Sequence, residues 1–263
     1  MTSFELSPVP ADAPVVERGV GFFETVLLVG RRAVLWEGHL ARLLGSISEF
    51  GFPAPERARI EASLSERLEG APGEATERAV RVSWIAIAPD LDAPASWRLD
   101  VSIREIQEAT LKRRGGASAV TLPASFRRDS ATVKSTSYFA AVVGLRYARR
   151  TGGDEGLFRE PDGTYLEGTS TALVCWNEGS PVFAPGPVLP SVTRSAFLGA
   201  RNDRRPLTRS LVRNGALLLG SLTIATPIVR LDGEECRVPD GMRRTLAEFN
   251  ERLAKDPGLG TNL

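Results

Sequence analysis

The order of apolar and polar residues in the first part of the chain predicts a hairpin, two helices and a second pair of strands. Apolar runs at 22–29 and 33–36 flank the polar turn Gly30-Arg31-Arg32, the pattern of two antiparallel strands. Apolar residues then recur at helical spacing until Gly51-Phe52-Pro53, a sequence that ends a helix. The expected elements are a helix through Leu40, Leu43, Leu44 and Ile47, a helix over 55–68, a loop at 70–73, and strands over 79–88 and 98–106.

Strands and helices are mixed again in the second part of the chain. Residues 138–150 predict a helix that packs through Phe139, Val142, Val143 and Tyr147 and ends at two glycines. Further helices are expected from about Val192 and near Asp240. The expected strands are 119–122, 155–159, 164–166, 172–176, 182–184 and two within 217–228. Because this order lacks a βαβ rhythm, it favours an α+β fold over a doubly wound sheet.

A basic, polar segment that ends in two glycines, residues 111–116, divides the two parts. We interpret it as a linker. The predicted organisation is a smaller N-terminal α+β domain over 1–110, a linker over 111–118 and a larger C-terminal domain over 119–263.

Charge and composition exclude several classes of function. The 263 residues carry a net charge of +1, and paired arginines are scattered, so no nucleic-acid partner is expected. The N-terminus lacks a basic start with an apolar run, and no stretch reaches membrane-spanning length, so a cytoplasmic protein without a membrane partner is expected. Two cysteines, Cys175 and Cys236, predict neither a metal framework nor a disulfide scaffold.

His39 is the single histidine, which nearly excludes Ser-His-Asp and Cys-His catalysis and any metal site that needs several imidazoles. The chemistry is therefore expected to come from an amine, from carboxylates or from a cofactor. Only three of the thirty-three basic residues are lysines, and Lys134 lies among small and apolar residues without another charge nearby in sequence. An amine forms a Schiff base with a carbonyl, whereas a guanidinium does not. A lysine that snorkels from a strand end is the alternative.

Three other features point to a charged cofactor. Glu167 follows a predicted strand and precedes a run of Gly, Thr and Ser, where a carboxylate can face a cavity. Pro190-Ser191-Val192-Thr193-Arg194 opens a helix, whose free amides suit a phosphate. Arg42, one helical turn from His39, offers the forked donor that phosphate prefers. Each feature alone is common on surfaces: a solvated Glu, a helix cap or an exposed Arg.

Together, in this order, these motifs resemble the class IV aminotransferase family. These pyridoxal phosphate enzymes of fold type IV include D-amino acid and branched-chain aminotransferases and aminodeoxychorismate lyase. The resemblance spans about residues 19–233. The motifs that carry it are Gly21-Phe22-Phe23-Glu24-Thr25, His39-Leu40-Ala41-Arg42-Leu43, Lys134 with Tyr138, Asp154-Glu155-Gly156-Leu157, Tyr165-Leu166-Glu167-Gly168-Thr169-Ser170, Leu189-Pro190-Ser191-Val192-Thr193-Arg194 and Gly220-Ser221-Leu222-Thr223.

The resemblance implies a two-domain fold with pyridoxal 5'-phosphate in the cleft, a homodimer and a small-molecule substrate. It implies that Lys134 forms the Schiff base and moves protons on the substrate. Glu167 would keep the pyridine nitrogen protonated, which tunes the cofactor's electronics. The remaining cofactor-binding residues implied by the resemblance are Arg42, Tyr138, Val192, Thr193 and Thr223. Arg127 and Arg128 are the candidates for binding a substrate carboxylate.

The reaction favoured from the sequence is that of aminodeoxychorismate lyase, which releases pyruvate from 4-amino-4-deoxychorismate and leaves 4-aminobenzoate. The grounds are the short chain and Leu27, which stands where many members carry a basic residue. A transaminase of D-amino or branched-chain amino acids is the alternative. A binding protein that keeps the fold without turnover is a third hypothesis.

Overall fold

A computed structural model describes residues 8–69 and 76–262, so the loop expected at 70–73 lies outside the described residues. The helices are α1 (Pro14–Arg18), α2 (Trp36–Glu49), α3 (Arg57–Glu69), α4 (Glu108–Arg113), α5 (Phe139–Arg150), α6 (Val192–Leu198), α7 (Arg209–Asn214) and α8 (Asp240–Lys255). The strands are β1 (Gly21–Val29), β2 (Arg32–Val34), β3 (Glu77–Ala86), β4 (Trp97–Glu105), β5 (Ala117–Thr121), β6 (Glu155–Arg159), β7 (Tyr165–Gly168), β8 (Ala172–Asn177), β9 (Ser180–Val182), β10 (Ala216–Gly220), β11 (Ile224–Leu231), β12 (Glu234–Glu235) and β13 (Gly260–Asn262).

The first sheet has the strand order β13-β2-β1-β3-β4, and the pairs described in it are antiparallel. Its face toward α2 and α3 carries apolar residues at alternate strand positions, among them Val26, Leu28 and Val80. These side chains share one buried cluster with Leu40 of α2 and Leu64 of α3. This alternation, with one face against helices, is what the period-two pattern of the sequence predicts.

The second sheet has the order β7-β6-β5-β11-β10-β8-β9, with β12 beside β11. It is mixed: β5 is parallel to both β6 and β11, whereas the other described pairs are antiparallel. The sheet is therefore parallel on both sides of β5, where the β5–α5–β6 crossover provides one of the two parallel pairs, and antiparallel elsewhere in the described pairs. This mixture of helices and sheets confirms the α+β expectation.

A shared apolar core joins the two sheets. Leu27 on β1 packs in one cluster with Leu217 and Leu219 on β10 and with Phe249 on α8. The apolar side chain of Leu27 thus serves packing between the sheets, and this residue does not line the cavity described below.

Helix α5 packs only in part through the residues predicted: Val143 and Tyr147 are half-buried, and the Tyr147 ring lies 5.6 Å from that of Phe126. Ala141, Gly144 and Ala148 are buried, whereas Phe139 is 81% and Val142 is 60% exposed. Gly144 lies so close to the sheet that an added Cβ would stand 2.9 Å from Leu122 Cδ1. Small residues permit that close approach and large ones would block it, so the expectation that Phe139 and Val142 pack against the sheet was wrong.

The division between the halves also differs in detail from the predicted linker. Helix α4 extends into the predicted linker, strand β5 begins inside that linker, and β13 near the C-terminus pairs with β2 of the first sheet.

Helix α7 was not predicted. Among the described residues, no helix is both long and apolar enough to span a membrane.

Candidate active site

One cavity between the two sheets is lined by most of the residues singled out in the sequence. Its walls come from α2, the segment before α5, the β7–β8 turn, the start of α6 and the end of β10. The lining residues are Arg42, Arg128, Lys134, Tyr138, Glu167, Gly168, Thr169, Ser170, Thr171, Ala172, Leu189, Ser191, Val192, Thr193, Leu219, Gly220 and Ser221. The chain thus brings together residues that are far apart in sequence.

Lys134 reaches this cavity because its segment lies alongside the beginning of β1. The Phe23 N–H donates to the Lys134 carbonyl at 3.1 Å, and the Thr136 N–H donates to the Gly21 carbonyl at 2.9 Å. The Lys134 Nζ lies 4.5 Å from the centre of the Phe23 ring and 5.5 Å from that of Tyr138. These contacts place an amine against two aromatic rings at the junction of the halves.

The pKa of the Lys134 amine is lowered to about 8. Burial is the largest cause, because it removes water from the ammonium form. Glu24 opposes this change, whereas the positive charges of Arg42, Arg128 and Arg81 add to it. The arrangement therefore gives this lysine a larger neutral, nucleophilic fraction near physiological pH than an exposed lysine has, although the ammonium form still predominates at pH 7.

Glu167 is buried and both of its carboxylate oxygens are engaged. Its Oε1 accepts a hydrogen bond from Arg128, and its Oε2 accepts one from the Leu189 N–H at 3.1 Å. Burial raises the pKa of Glu167, while the charge of Arg128 opposes that rise. Arg128, a predicted substrate ligand, thus lines the cavity but is paired with the carboxylate of Glu167 in this arrangement.

Arg127, the other predicted substrate ligand, is exposed. Its Nε donates to the Ala124 carbonyl at 3.4 Å, and Arg127 lines a neighbouring cavity instead of the one that holds Lys134.

Tyr138 is held in the cavity that contains Lys134, because its hydroxyl donates to the Thr169 carbonyl at 3.1 Å. Burial raises the pKa of this phenol.

A buried acid at the beginning of the chain organises the Arg42 side of the cavity. Glu24 on β1 accepts from Arg42 Nε at 2.6 Å and Nη2 at 2.7 Å, and from His39 Nδ1 at 2.8 Å. Arg42 Nη1 also donates to the Pro190 carbonyl at 2.8 Å. Three of the five guanidinium N–H groups are used, which leaves two for an anion.

The charge states within this cluster follow from its contacts. Burial raises the pKa of Glu24, but the hydrogen bonds from His39 and Arg42 outweigh it and lower the pKa to about 2. Burial lowers the pKa of His39, so this imidazole is neutral. Since Glu24 can only accept, His39 Nδ1 carries the proton, and Nε2 is free to accept from the Ser221 hydroxyl at 3.4 Å.

The opposite wall offers donors to an anion. The amides of Val192 and Thr193 belong to the first turn of α6, where they have no carbonyl partner within the helix. Behind this wall, the hydroxyl of Thr223 is buried without a hydrogen-bond partner. Thr223 does not itself line the cavity, but a Cβ on Gly220, which does, would stand 2.8 Å from that hydroxyl. An orphaned buried hydroxyl costs free energy unless a ligand engages it. Together with Arg42, these groups fit the phosphate of a cofactor.

Sequence reasoning missed Glu155 as a contributor to the site. This fully buried carboxylate accepts from the Thr169 N–H at 3.0 Å, from the Ser170 hydroxyl at 2.8 Å and from the Thr171 hydroxyl at 3.2 Å. It also accepts from the Thr169 hydroxyl. Glu155 thereby holds the turn that forms one cavity wall. An acidic residue at the start of an apolar strand was the available signal.

Arg81 was also missed. Its guanidinium stacks on the Phe23 ring at 3.8 Å from the centre, against the same ring that Lys134 contacts. Its Nε donates to the Ser83 hydroxyl at 3.2 Å, and within the described part of the chain it forms no ion pair. Arg81 does not line the cavity, but it lies against the Phe23 ring that Lys134 contacts, and a guanidinium without an acidic partner among the described residues can bind a carboxylate.

Comparisons with known proteins agree with this geometry. The sequence matches the family Amino-transferase class IV over residues 21–231. It is 28% identical over 270 residues to the bifunctional aminodeoxychorismate lyase / D-amino acid transaminase of Mycobacterium tuberculosis, covering 92% of this chain and 91% of that protein.

The fold is also similar to those of solved structures. A hypothetical aminotransferase from M. tuberculosis, solved with alpha-ketoglutarate and PMP bound, gives a TM-score of 0.83 at 26% identity over 97% of this chain and 95% of that one. The branched-chain aminotransferase of Thermoproteus uzoniensis, solved with norvaline, gives 0.81 at 18% identity over 97% and 94%, a likeness of fold. The family match covers most of the chain and includes every residue of the cavity, so this protein belongs to the class IV aminotransferase family.

Proposed function

We propose that the protein is a pyridoxal 5'-phosphate enzyme in which Lys134 binds the cofactor covalently. The observation that carries this proposal is the amine of Lys134, with its lowered pKa, in the same cavity as Glu167 and Arg42. When bound, the cofactor withdraws electrons from the substrate carbon next to the amino nitrogen and so makes its proton acidic.

The residues of the chain then have distinct roles. Arg42, Val192, Thr193 and Thr223 would hold the phosphate. Glu167 would keep the pyridine nitrogen protonated, and Tyr138 would help to hold the cofactor. Lys134 would bind the cofactor through its amine, and the same amine, when free, would take the proton from the substrate carbon next to the amino nitrogen.

The favoured reaction is the lyase reaction, in which 4-amino-4-deoxychorismate loses pyruvate and becomes 4-aminobenzoate. The curated M. tuberculosis relative is named for this activity, which supports the proposal. The argument from Leu27 does not add to it, because packing accounts for that residue. The protein is proposed to act as a cytoplasmic homodimer.

A D-amino acid transaminase is the second candidate, because the same relative is also named for that activity. In this reaction the amine of Lys134 would take the proton from the substrate carbon and hold it until it is returned. Arg81 suits the carboxylate of an amino acid as well as that of aminodeoxychorismate, so it supports both reactions. A binding protein without turnover fits less well, since it has no use for an amine with a lowered pKa.

One assay pair tests these alternatives. Purified protein with bound cofactor is given aminodeoxychorismate in one arm and a panel of D- and L-amino acids with 2-oxoglutarate or pyruvate in the other. Release of pyruvate and 4-aminobenzoate supports the lyase, and 2-oxo acid formation from the donors supports the transaminase. Lys134→Arg is the control, since it keeps the charge and removes the amine. Turnover in neither arm would support the binding protein.

A further inference from the structure

The buried Glu24 does not line the cavity, and three hydrogen bonds from Arg42 and His39 converge on its carboxylate. Its carboxylate is only 1% exposed and binds both Arg42 and His39. A carboxylate taken out of water is costly unless it is paired and hydrogen-bonded, so a group of this kind needs a reason beyond packing.

The two partners of Glu24 each continue across the junction between the sheets. Arg42 donates to the Pro190 carbonyl just before α6, and His39 faces the Ser221 hydroxyl after β10. Pro190 and Ser221 adjoin the two groups of donors proposed for the phosphate, Val192 with Thr193 on the opposite wall and Thr223 behind it. One acid on β1 is therefore connected to both halves of the proposed phosphate pocket.

Glu24 also restricts how Arg42 can turn. The pair uses Nε and Nη2, so the planar guanidinium is fixed in one orientation, and its two unused N–H groups remain for the anion. A flexible arginine would lose rotamer entropy on binding a phosphate, whereas a fixed one has lost it already.

We propose that Glu24 and His39 are positioning residues for the cofactor phosphate, Glu24 by fixing Arg42 and His39 by tying the 221–223 turn to α2. The inference rests on the proposed function, because it presumes that the cavity binds pyridoxal 5'-phosphate. Neither residue needs to touch the cofactor. Their hydrogen bonds lie at the phosphate end of the site. The charge of Glu24 also raises the pKa of the Lys134 amine, but that effect is common to a phosphorylated and an unphosphorylated ligand.

The test compares two ligands that differ only in the phosphate. Affinities for pyridoxal 5'-phosphate and for unphosphorylated pyridoxal are measured by absorbance titration of the apo protein and of two variants. Glu24→Gln keeps the size of the side chain and removes its charge. His39→Asn keeps a donor toward Glu24 and removes the contact with Ser221. Asp232→Asn, which breaks an Arg–carboxylate pair with Arg209 outside the cavity, is the matched control.

We expect Glu24→Gln to weaken pyridoxal 5'-phosphate binding about ten- to hundredfold, the range of one charge-assisted contact, and His39→Asn to weaken it by about three- to tenfold. Pyridoxal affinity should change less than about threefold in both, and the control should match wild type. Circular dichroism of the apo proteins shows whether each variant is folded. If Glu24→Gln does not fold, the affinities of His39→Asn for the two ligands test the inference.

Several results would overturn the inference. Unchanged or tighter pyridoxal 5'-phosphate binding in both variants would do so, and so would equal losses for the two ligands, which indicate a merely structural role. If the variants match a wild type that binds the cofactor, the proposed function stands and only this inference fails. A wild type that binds no cofactor would overturn both.

Discussion

At the residue scale, the surroundings of Lys134 determine when its amine can react. With a pKa of about 8, roughly one molecule in ten carries the neutral amine at pH 7, against about one in three thousand for an unperturbed lysine at 10.5. Only the neutral amine attacks an aldehyde. The rate of covalent cofactor attachment should therefore rise with pH and level off above about 8. Stopped-flow absorbance across pH 6 to about 10 measures this, and a rate still rising at the upper end would contradict the lowered pKa.

The position of covalent attachment is a separate expectation. Borohydride reduction of the loaded protein followed by peptide mapping should find the cofactor on Lys134. Both other lysines form i,i+4 ion pairs on the surface, Lys112 with Glu108 and Lys255 with Glu251, so they serve as internal controls. Label on Lys112 or Lys255 would refute the assignment.

The role proposed for Glu167 depends on its charge, so a substitution that removes only the charge tests it. Glu167→Gln keeps the size and hydrogen-bonding capacity but removes the charge proposed to hold the pyridine nitrogen protonated. Cofactor should still bind, and turnover should fall by about two to three orders of magnitude, as for the loss of one group that stabilises developing charge. Steady-state assays measure this, with the absorbance spectrum as the check on binding. Full activity with an unaltered spectrum would remove this role.

At the element scale, the close packing of α5 joins the helix to the cavity wall. An added Cβ on Gly144 would stand 2.9 Å from Leu122 Cδ1 and from Thr169 Cγ2, and Thr169 belongs to the turn held by Glu155. Gly45 on α2 is a matched control, because an added Cβ there meets nothing within 4 Å.

Gly45→Ala should raise the free energy of unfolding by about 0.5 to 1 kcal/mol, the helix propensity gain. Gly144→Ala should lower it by about 1 kcal/mol or more, because overpacking outweighs that gain. Urea unfolding of the apo proteins compares the two. Equal stabilisation by both substitutions would show that the α5 contact can relax.

At the scale of the whole molecule, acid should unfold the protein partly through the Glu24 cluster. The pKa of Glu24 is lowered from 4.5 to about 2, so its contribution is complete above pH 4.5 and is lost as the pH falls toward 2. A difference of this size is worth about 3 kcal/mol. The pKa of His39 is also lowered, so protonation of this buried imidazole destabilises the fold in the same direction below about pH 6.5.

Unfolding free energies of wild type and Glu24→Gln between pH 7 and about 3 test this expectation. The variant should be less stable at pH 7, and the difference should shrink as the pH falls below about 4.5, because protonated Glu24 no longer contributes a charge. Parallel curves for the two proteins would mean that Glu24 does not titrate as described.

The sequence by itself determined most of the element order and the family. Runs of period two and of helical period predicted β1, β2, α2, α3 and most of the later strands, because each pattern reflects which face of one element is buried. Lys134, Glu167 and Arg42 were identified from their local surroundings and from the order of their motifs along the chain. Both are properties of the sequence and do not depend on the fold.

Only the tertiary structure decided which residues act on one another. The pairing of Glu167 with Arg128, the cluster of Glu24, His39 and Arg42, and the approach of Arg81 to Phe23 join elements far apart in sequence. The buried face of α5 was also decided there, because the sheet accepts small residues where local hydrophobicity favours large ones. Local patterns record how one element meets solvent, whereas these contacts depend on how two elements meet each other.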